Sequence, residues 1–252
     1  MDNTVKEPLI HLSKREDMSF GKKWLVRIIA ILLSLIVCAG FIFIIIKMNP
    51  VEVYEGIVEG AVGTSRRFWV TARDALTLLC VAVAVTPAFK MKFWNIGAEG
   101  QILMGCVASA AMMIYAGNAL PTGLLLVLMF VCSFIAGGIW GIIPAFFKAR
   151  WNTNETLFTL MLNYVAMQVV TFCIVYWENP AGSNSVGIIN APTRAGWLPQ
   201  LFGLDYGWNL AIVLLLTVLM FIYMKRTKHG YEIAVVGESE NTARYAGIYV
   251  GK

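Results

Sequence analysis

The sequence predicts an all-α membrane protein, a polytopic bundle of about six transmembrane helices with a cytoplasmic N-terminus. Of its 252 residues, 58% are hydrophobic and only 14% are charged, whereas a soluble domain carries about 25% charged residues. The apolar residues form long blocks, and Ile28–Ile46, Leu120–Phe147 and Thr156–Trp177 contain no charged residue. A helix needs roughly 20 apolar residues to cross the bilayer core. Several such blocks exclude a soluble globular domain, whose helices alternate apolar with polar faces.

The chain divides into a tail, a membrane domain and a final polar segment. Residues 1–23 are polar and charged, and we predict a cytoplasmic tail there. Residues 24–224 contain six predicted spans, at 24–46, 75–89, 102–117, 120–147, 156–177 and 207–224. The second span is short, and we expect Thr86-Pro87 to interrupt it because proline removes a helical hydrogen bond. Residues 225–252 are polar again, and we predict a cytoplasmic segment.

The distribution of lysine and arginine predicts the orientation, because cytoplasmic loops of membrane proteins are enriched in these residues. With the N-terminus inside, about twice as many basic residues lie in cytoplasmic as in external loops. Arg66, Arg67 and Arg73 are the exception, and an interfacial segment would accommodate them. The net charge of +5 arises from the basic residues that flank the predicted spans. No segment interleaves basic and aromatic residues as a nucleic-acid surface requires, so no nucleic-acid partner is predicted.

The sequence contains no recognisable catalytic or metal-binding motif. Its two histidines, His11 and His229, lie in the tail and in a basic loop. The five cysteines all lie in hydrophobic blocks without a CxxC pair, so neither a disulfide framework nor a zinc site is predicted. We therefore predict no enzyme activity, no metal and no cofactor for the chain itself.

The most informative stretch is residues 93–101, where Asn95, Glu99 and Gln101 stand among two glycines between hydrophobic segments. A carboxylate at membrane depth is tolerated mainly where it is paired or lines a wet cavity. Non-helical backbone there must be buried in protein or face water, and such breaks mark transport pathways. The alternative is a cytoplasmic turn capped by Asn95, with Glu99 in the first turn of the next helix. The chemistry of the residues does not separate these two interpretations.

A second polar cluster, residues 152–156, precedes the fifth span. Asn154 or Thr153 is expected to cap the helix, with Glu155 in its first turn. Asn163 lies inside that span, where an amide either bonds to a neighbouring helix or lines a channel. The sequence leaves both roles open.

Residues 95–101, Asn-Ile-Gly-Ala-Glu-Gly-Gln, resemble the signature of ABC-transporter permeases for simple sugars, nucleosides and branched-chain amino acids. Segments 154–164, 226–232 and 234–248 resemble the same family in the expected order. The run Leu-Met-Leu-Asn-Tyr at residues 160–164 is most similar to nucleoside-type permeases that pair with basic-membrane-protein lipoproteins. The resemblance covers roughly residues 25–252.

This resemblance implies a permease subunit of an ATP-driven importer in the cell (inner or plasma) membrane, carrying nucleosides, related ribosides or simple sugars. The implied partners are an ABC ATPase on the cytoplasmic face, a second permease subunit and an extracellular substrate-binding lipoprotein. The candidate groups along the substrate pathway are Asn95, Glu99, Gln101 and Asn163. Residues 237–247 resemble the coupling helix that docks into the ATPase, with candidate residues Gly237, Glu238, Asn241, Ala243, Ala246 and Gly247.

Two rival functions stay open at this stage. The same architecture serves branched-chain amino acid permeases. Members of the family continue with further spans after the coupling segment, so the chain is expected to be truncated at its C-terminus. A truncated chain would also allow a non-transporting membrane scaffold.

Overall fold

The computed structural model describes residues 19–201, 203 and 206–249, and this part of the chain is helical without a β-strand. The chain forms two compact units, Met1–Phe68 and Trp69–Lys252. Most of the predicted tail and the last three residues lie outside the described residues.

The first unit contains α1 (Phe20–Phe41), which continues as a π-helix over Ile42–Ile46, and α2 (Pro50–Val62). Asn49 caps α2, because its side chain accepts a hydrogen bond from the Val51 N–H at 3.1 Å, and Pro50 occupies the first helical position. Tyr54 donates its hydroxyl proton to the Leu35 carbonyl at 2.6 Å. The sequence pattern predicted no separate helix at Pro50–Val62.

The second unit contains most of the remaining helices. They are α3 (Ser65–Lys90, which begins at the end of the first unit), α4 (Ala98–Ala116), α5 (Thr122–Trp151), α6 (Glu155–Tyr176), α7 (Gly207–Arg226), α8 (Lys228–Glu238) and α9 (Glu240–Tyr245). Six helices of the described chain are long and apolar enough to cross a membrane, namely α1 with its π-helical extension and α3 to α7. The predicted number of spans is confirmed. The cytoplasmic N-terminus stays a prediction.

The expected interruption at Thr86-Pro87 is wrong. Helix α3 runs unbroken through Pro87 for 26 residues, so the predicted second span begins ten residues too late. Proline deprives only one backbone carbonyl of its helical partner, and membrane helices tolerate this when nearby groups satisfy the backbone. The Thr86 hydroxyl donates to the Ala82 carbonyl at 2.7 Å, one residue from the affected position.

Helices α4, α5 and α6 form the packed centre of the second unit, and α4 with α5 is the closest pair. The Ser109 hydroxyl bonds to that of Ser133, which donates to the Gly105 carbonyl at 2.9 Å. A Cβ on Gly137 would lie 3.1 Å from the Gln101 carbonyl oxygen. Small residues therefore let the two helices approach closely.

The segment between α6 and α7 folds back onto α4. Asn190 donates its side-chain amide to the Met113 carbonyl at 2.8 Å and to the Ala195 carbonyl at 3.1 Å. The Trp197 indole donates to the Ile189 carbonyl at 3.0 Å. The bond to Met113 satisfies a carbonyl in the last turn of α4, which the helix end leaves without an internal partner.

Candidate functional site

Residues 91–97 join α3 to α4 and are held in place by two side chains of α6. Thr159 accepts a hydrogen bond from the Ile96 N–H at 3.3 Å. Asn163 donates to the Ile96 carbonyl at 3.0 Å and accepts from the Gly100 N–H at 2.9 Å. Thr159 is fully buried and Asn163 is 4% exposed. The oxygen and the nitrogen of this buried amide are thus both hydrogen-bonded. Their backbone partners lie in the loop and in the first turn of α4, where no intrahelical partner is available.

The two glycines of the 95–101 stretch let α6 approach this loop. A Cβ on Gly97 would lie 2.9 Å from the Cβ of Thr159, and a Cβ on Gly100 would lie 2.9 Å from the Asn163 side-chain oxygen. Both distances are shorter than real Cβ contacts. The indole N–H of Trp140, buried beside Gly100, has no hydrogen-bond partner among the described residues.

The start of α6 is fixed by a cap and an ion pair. Asn154 accepts a hydrogen bond from the Leu157 N–H at 3.1 Å, which confirms it as the N-cap. Glu155 forms an ion pair with Lys148 at 2.9 Å, and the two side chains are 16% and 32% exposed. The Glu155 carboxylate also interacts with the Trp94 backbone N–H. The cluster at residues 152–156 therefore braces the same loop that Asn163 holds.

A cavity of about 750 Å³ lies between α3, α4 and α5. Its polar lining groups are the amides of Asn95 and Gln101 and the hydroxyls of Ser109 and Ser133; Cys80 and Cys106 add thiols, and the other lining residues are apolar or glycine. Ile189, from the segment between α6 and α7, completes the wall. No charged side chain lines the cavity in the described part of the chain.

Asn95 and Gln101 both keep hydrogen-bonding capacity at this cavity. The Asn95 side-chain oxygen accepts from the Gly97 N–H at 2.9 Å, and its amide nitrogen has no partner within the described residues. Gln101 lies over Gly141, whose Cβ, if present, would be 3.1 Å from the Gln101 amide nitrogen. The half-buried Gln101 amide likewise has no hydrogen bond to the described chain.

The structure brings together two of the four residues predicted for the substrate pathway. Asn95 and Gln101 line the cavity, whereas Glu99 and Asn163 do not. Glu99 is exposed, because residues two apart on a helix point to opposite sides and Gln101 faces the cavity. Asn163 is occupied with the loop. For these two residues the pathway role stays a prediction without a contact that supports it.

The residues predicted from the sequence did not include Ser109, Ser133 and Cys106, which also line the cavity. A signal for two of them exists in the spacing, since Gln101, Gly105 and Ser109 recur every four residues on α4. Ser133 begins the same spacing on α5, followed by Gly137 and Gly141. Positions four apart share a helix face, so these two faces of small and polar residues mark the cavity.

The predicted coupling residues divide into buried and exposed groups. Gly237 is buried against the end of α3, where a Cβ would overlap the Lys90 carbonyl oxygen, and Ala243 is fully buried. Glu238, Asn241, Ala246 and Gly247 are exposed. The neighbouring Tyr245, which the prediction omitted, is 93% exposed. The exposed residues cluster on and around α9.

Residues 69–252 match the family described as "branched-chain amino acid transport system / permease component". The chain belongs to this family. Together with the six apolar helices, this membership makes the chain a multi-pass protein of the cell membrane. The family description refers to the permease component of a transport system. The matched residues coincide with the second unit, Trp69–Lys252.

Three relatives from the family of ABC permeases match most of this chain. The guanosine ABC transporter permease of Bacillus subtilis is 29% identical over 90% of this chain. The glucose ABC transporter permease of Haloferax volcanii is 30% identical over 86%, and the nucleoside ABC transporter permease of Lactococcus lactis is 30% identical over 90%. The match covers 65%, 59% and 64% of the three relatives, so the chain spans less than two-thirds of their length. No solved structure matches significantly.

Proposed function

We propose that the chain is a permease subunit of an ATP-driven importer, and that nucleosides or related ribosides pass through the cavity between α3, α4 and α5. The observation that supports this most is the pair of amides, Asn95 and Gln101, which keep hydrogen-bonding capacity in an uncharged and mostly apolar wall. An amide offers both a donor and an acceptor. This combination matches the polar edge of a nucleobase and the hydroxyls of ribose.

The absence of charge in the lining favours an uncharged substrate over a branched-chain amino acid. A zwitterionic amino acid carries two charges, and a buried charge is costly unless it is paired. The described lining offers no such partner. The cavity volume of about 750 Å³ also lies within the range of about 300–1,000 Å³ typical of small-molecule sites.

The names of the relatives support the same substrate class. Two of the three are permeases for guanosine or nucleosides, and the third is a glucose permease. A simple sugar is therefore the second candidate, since its hydroxyls suit the same amides. Competition of labelled guanosine uptake by unlabelled glucose, leucine and other nucleosides distinguishes the three classes.

The proposed partners follow from the exposed end of the chain. The exposed residues around α9 would dock an ABC ATPase in the cytosol, which requires the cytoplasmic N-terminus predicted from the basic residues. A second permease subunit would complete the pathway, and an extracellular substrate-binding lipoprotein would deliver the ligand. Hydrolysis of ATP then takes place in a separate chain.

Substitution of Gln101 tests the proposed pathway directly. In cells that contain the complete importer, Gln101→Leu should lower the uptake of radiolabelled guanosine by about tenfold or more, because a site built to hydrogen-bond loses one partner. Gln168→Leu is the matched control, since Gln168 is exposed on α6 and lies away from the cavity. Equal uptake by both variants at equal membrane levels would refute this pathway.

Substitution of Tyr245 tests the proposed docking of the ATPase. Exposed aromatic residues are frequent anchors of protein interfaces, so Tyr245→Ala should reduce the amount of ATPase that co-purifies with the chain. Tyr231→Ala is the control, because Tyr231 is 64% exposed on α8. A non-transporting scaffold would not bind the ATPase through α9 at all, so absent co-purification with the unaltered chain would favour that alternative.

A further inference from the structure

The hydroxyls of Ser109 and Ser133 form a hydrogen-bonded chain with a fixed direction. Ser133 donates its proton to the Gly105 carbonyl at 2.9 Å. A hydroxyl carries only one proton, so Ser109 is the donor in the bond that joins the two serines. The proton of Ser109 is thereby used within the protein, and its oxygen keeps only lone pairs. Ser109, which lines the cavity, therefore presents an acceptor and no donor to a bound molecule.

The side-chain amide of Asn95 is oriented in the opposite sense. Its oxygen accepts a hydrogen bond from the Gly97 N–H at 2.9 Å. Because a backbone N–H can only donate, the amide cannot turn over without losing this bond. The amide nitrogen, with its two protons, has no partner in the part of the chain that the structure describes, and the side chain lines the cavity. Asn95 thus offers donors where Ser109 offers an acceptor.

The amide of Gln101 can act in both ways. It lies over Gly141, and no hydrogen bond to a described residue holds it in one orientation, so it can present either its oxygen or its nitrogen. Gln101 lies in the first turn of α4, close in sequence to Asn95. Ser109 lies on the same face of α4, about 12 Å further along the helix. The cavity therefore has an amide end with donors and an acceptor, and a hydroxyl end with acceptors only.

We propose that this polarity selects nucleosides whose base carries an oxo group beside a ring N–H, as in guanosine, inosine and uridine, over the amino bases of adenosine and cytidine. This inference rests on the proposed function, because it takes the cavity as the path of a nucleoside. The oxo oxygen accepts from the Asn95 nitrogen, and the ring N–H donates to the Gln101 oxygen. An amino base places its own donor opposite the donors of Asn95, so this hydrogen bond is lost. Asn95 is thus the residue that determines specificity.

The ribose lies at the hydroxyl end in this arrangement. Each ribose hydroxyl brings a proton, which the oxygen of Ser109 can accept. The edge of a base needs a donor as well as an acceptor from the protein, and Ser109 supplies no donor. The separation of the two ends along α4 suits a molecule with a base at one end and sugar hydroxyls at the other.

Competition between matched nucleosides tests the amide end. Inosine and adenosine differ only in the group at the 6-position and in the proton on the adjoining ring nitrogen. In cells that contain the complete importer, inosine should compete with radiolabelled guanosine at a concentration about tenfold lower than adenosine or less, because a site built to hydrogen-bond rejects a ligand that leaves it unpaired. Uridine and cytidine should differ in the same direction.

Two negative results have different meanings. Equal competition within either pair, inosine with adenosine or uridine with cytidine, would overturn this inference and leave the proposed function in place. If no nucleoside competes while glucose or leucine does, the proposed substrate is wrong and the inference falls with it.

Asn95→Asp reverses the polarity of the amide end with almost no change in shape. One carboxylate oxygen can keep the bond to the Gly97 N–H, and the other replaces the nitrogen with an acceptor. The preference for inosine over adenosine should disappear or invert. Asn118→Asp is the matched control, since Asn118 is exposed in the turn after α4 and outside the lining. An unchanged preference in Asn95→Asp would overturn the inference, and the comparison in the unaltered importer decides it if this variant lowers all uptake.

Ser109→Ala tests the hydroxyl end with deoxynucleosides. The unaltered importer should take 2′-, 3′- or 5′-deoxyinosine, whichever lacks the hydroxyl that Ser109 accepts, about fivefold less well than inosine, the effect of one hydrogen bond. Ser109→Ala should no longer distinguish that analogue from inosine. Ser34→Ala, exposed on α1 and outside the lining, should keep the discrimination. The same discrimination in Ser109→Ala as in the control would overturn the proposed orientation.

Discussion

The side chain of Asn163 on α6 accepts a hydrogen bond from the backbone N–H of Gly100 on α4 at 2.9 Å. Its amide nitrogen donates to the Ile96 carbonyl at 3.0 Å. One buried side chain thus fixes both the first turn of α4 and the loop before it. Because Asn95 and Gln101 flank this turn, their positions at the cavity depend on a residue that lies outside it.

Replacement of Asn163 should destabilise the protein. Asn163→Ala leaves a backbone N–H and a carbonyl without partners, and each buried unsatisfied group costs about 1–3 kcal/mol. The apparent melting temperature of the purified protein in detergent should fall. Gln168→Ala serves as the control, since the exposed Gln168 has no comparable bonds to lose. An unchanged melting temperature would show that Asn163 does not hold the loop.

Neutralisation of Glu99 should leave transport intact. Glu99 is exposed and absent from the cavity lining, so Glu99→Gln should change guanosine uptake by less than about twofold, as expected of a surface substitution. Uptake is measured beside Gln101→Leu at matched membrane levels. A loss as large as that of Gln101→Leu would restore the sequence prediction that Glu99 lines the pathway.

The thiol of Cys106 should report occupancy of the cavity. In a variant that keeps Cys106 as its only cysteine, saturating guanosine should slow alkylation by a maleimide, because the substrate covers the exposed thiol. A variant that keeps only Cys38, exposed on α1 and outside the lining, should react at one rate with or without guanosine. Equal protection of both thiols, or of neither, contradicts binding in this cavity.

Loss of the Glu155 carboxylate should weaken the brace at the start of α6. Glu155→Gln breaks the ion pair between Glu155 and Lys148. The side chains of both residues are partly buried. Partly buried pairs contribute more than exposed ones, so a loss of about 1–2 kcal/mol is expected. The melting temperature should fall accordingly. Glu59→Gln, at an exposed ion pair with Arg67, should change it little; the reverse ranking would contradict a bracing role for Glu155.

Some local features of the fold could be predicted because they depend on neighbouring residues alone. A cap by Asn154 or Thr153 was predicted from the polar residues before an apolar run, and Asn154 is the cap. Helix α2 was missed because its three glutamates at residues 52, 55 and 59 dilute the hydrophobic signal over 13 residues. The start of α3 was missed because Arg66, Arg67 and Arg73 suggested an interfacial segment, whereas the helix simply extends through them.

The candidate site could be predicted only in part, because it depends on which helix faces meet. Asn95 and Gln101 were singled out as polar groups near a break in the hydrophobic pattern, and they line the cavity. Asn163 was selected as a polar residue inside a span, and Gly237 was selected from the resemblance of its segment to the coupling helix. Both residues contact other parts of the same chain. A polar or small residue indicates a close neighbour, but it does not identify which part of the molecule that neighbour belongs to.

By itself the sequence determined that this chain is a helical membrane protein with six spans, because an uncharged block long enough to cross a bilayer has no other stable environment. The tertiary structure alone decided that α6 clamps the start of α4, that a cavity opens between α3, α4 and α5, and that Gly237 touches Lys90. A membrane span is predicted from the summed hydrophobicity of residues that are adjacent in the sequence. The contacts between helices depend instead on rotation and approach, which are fixed only when all the helices pack together.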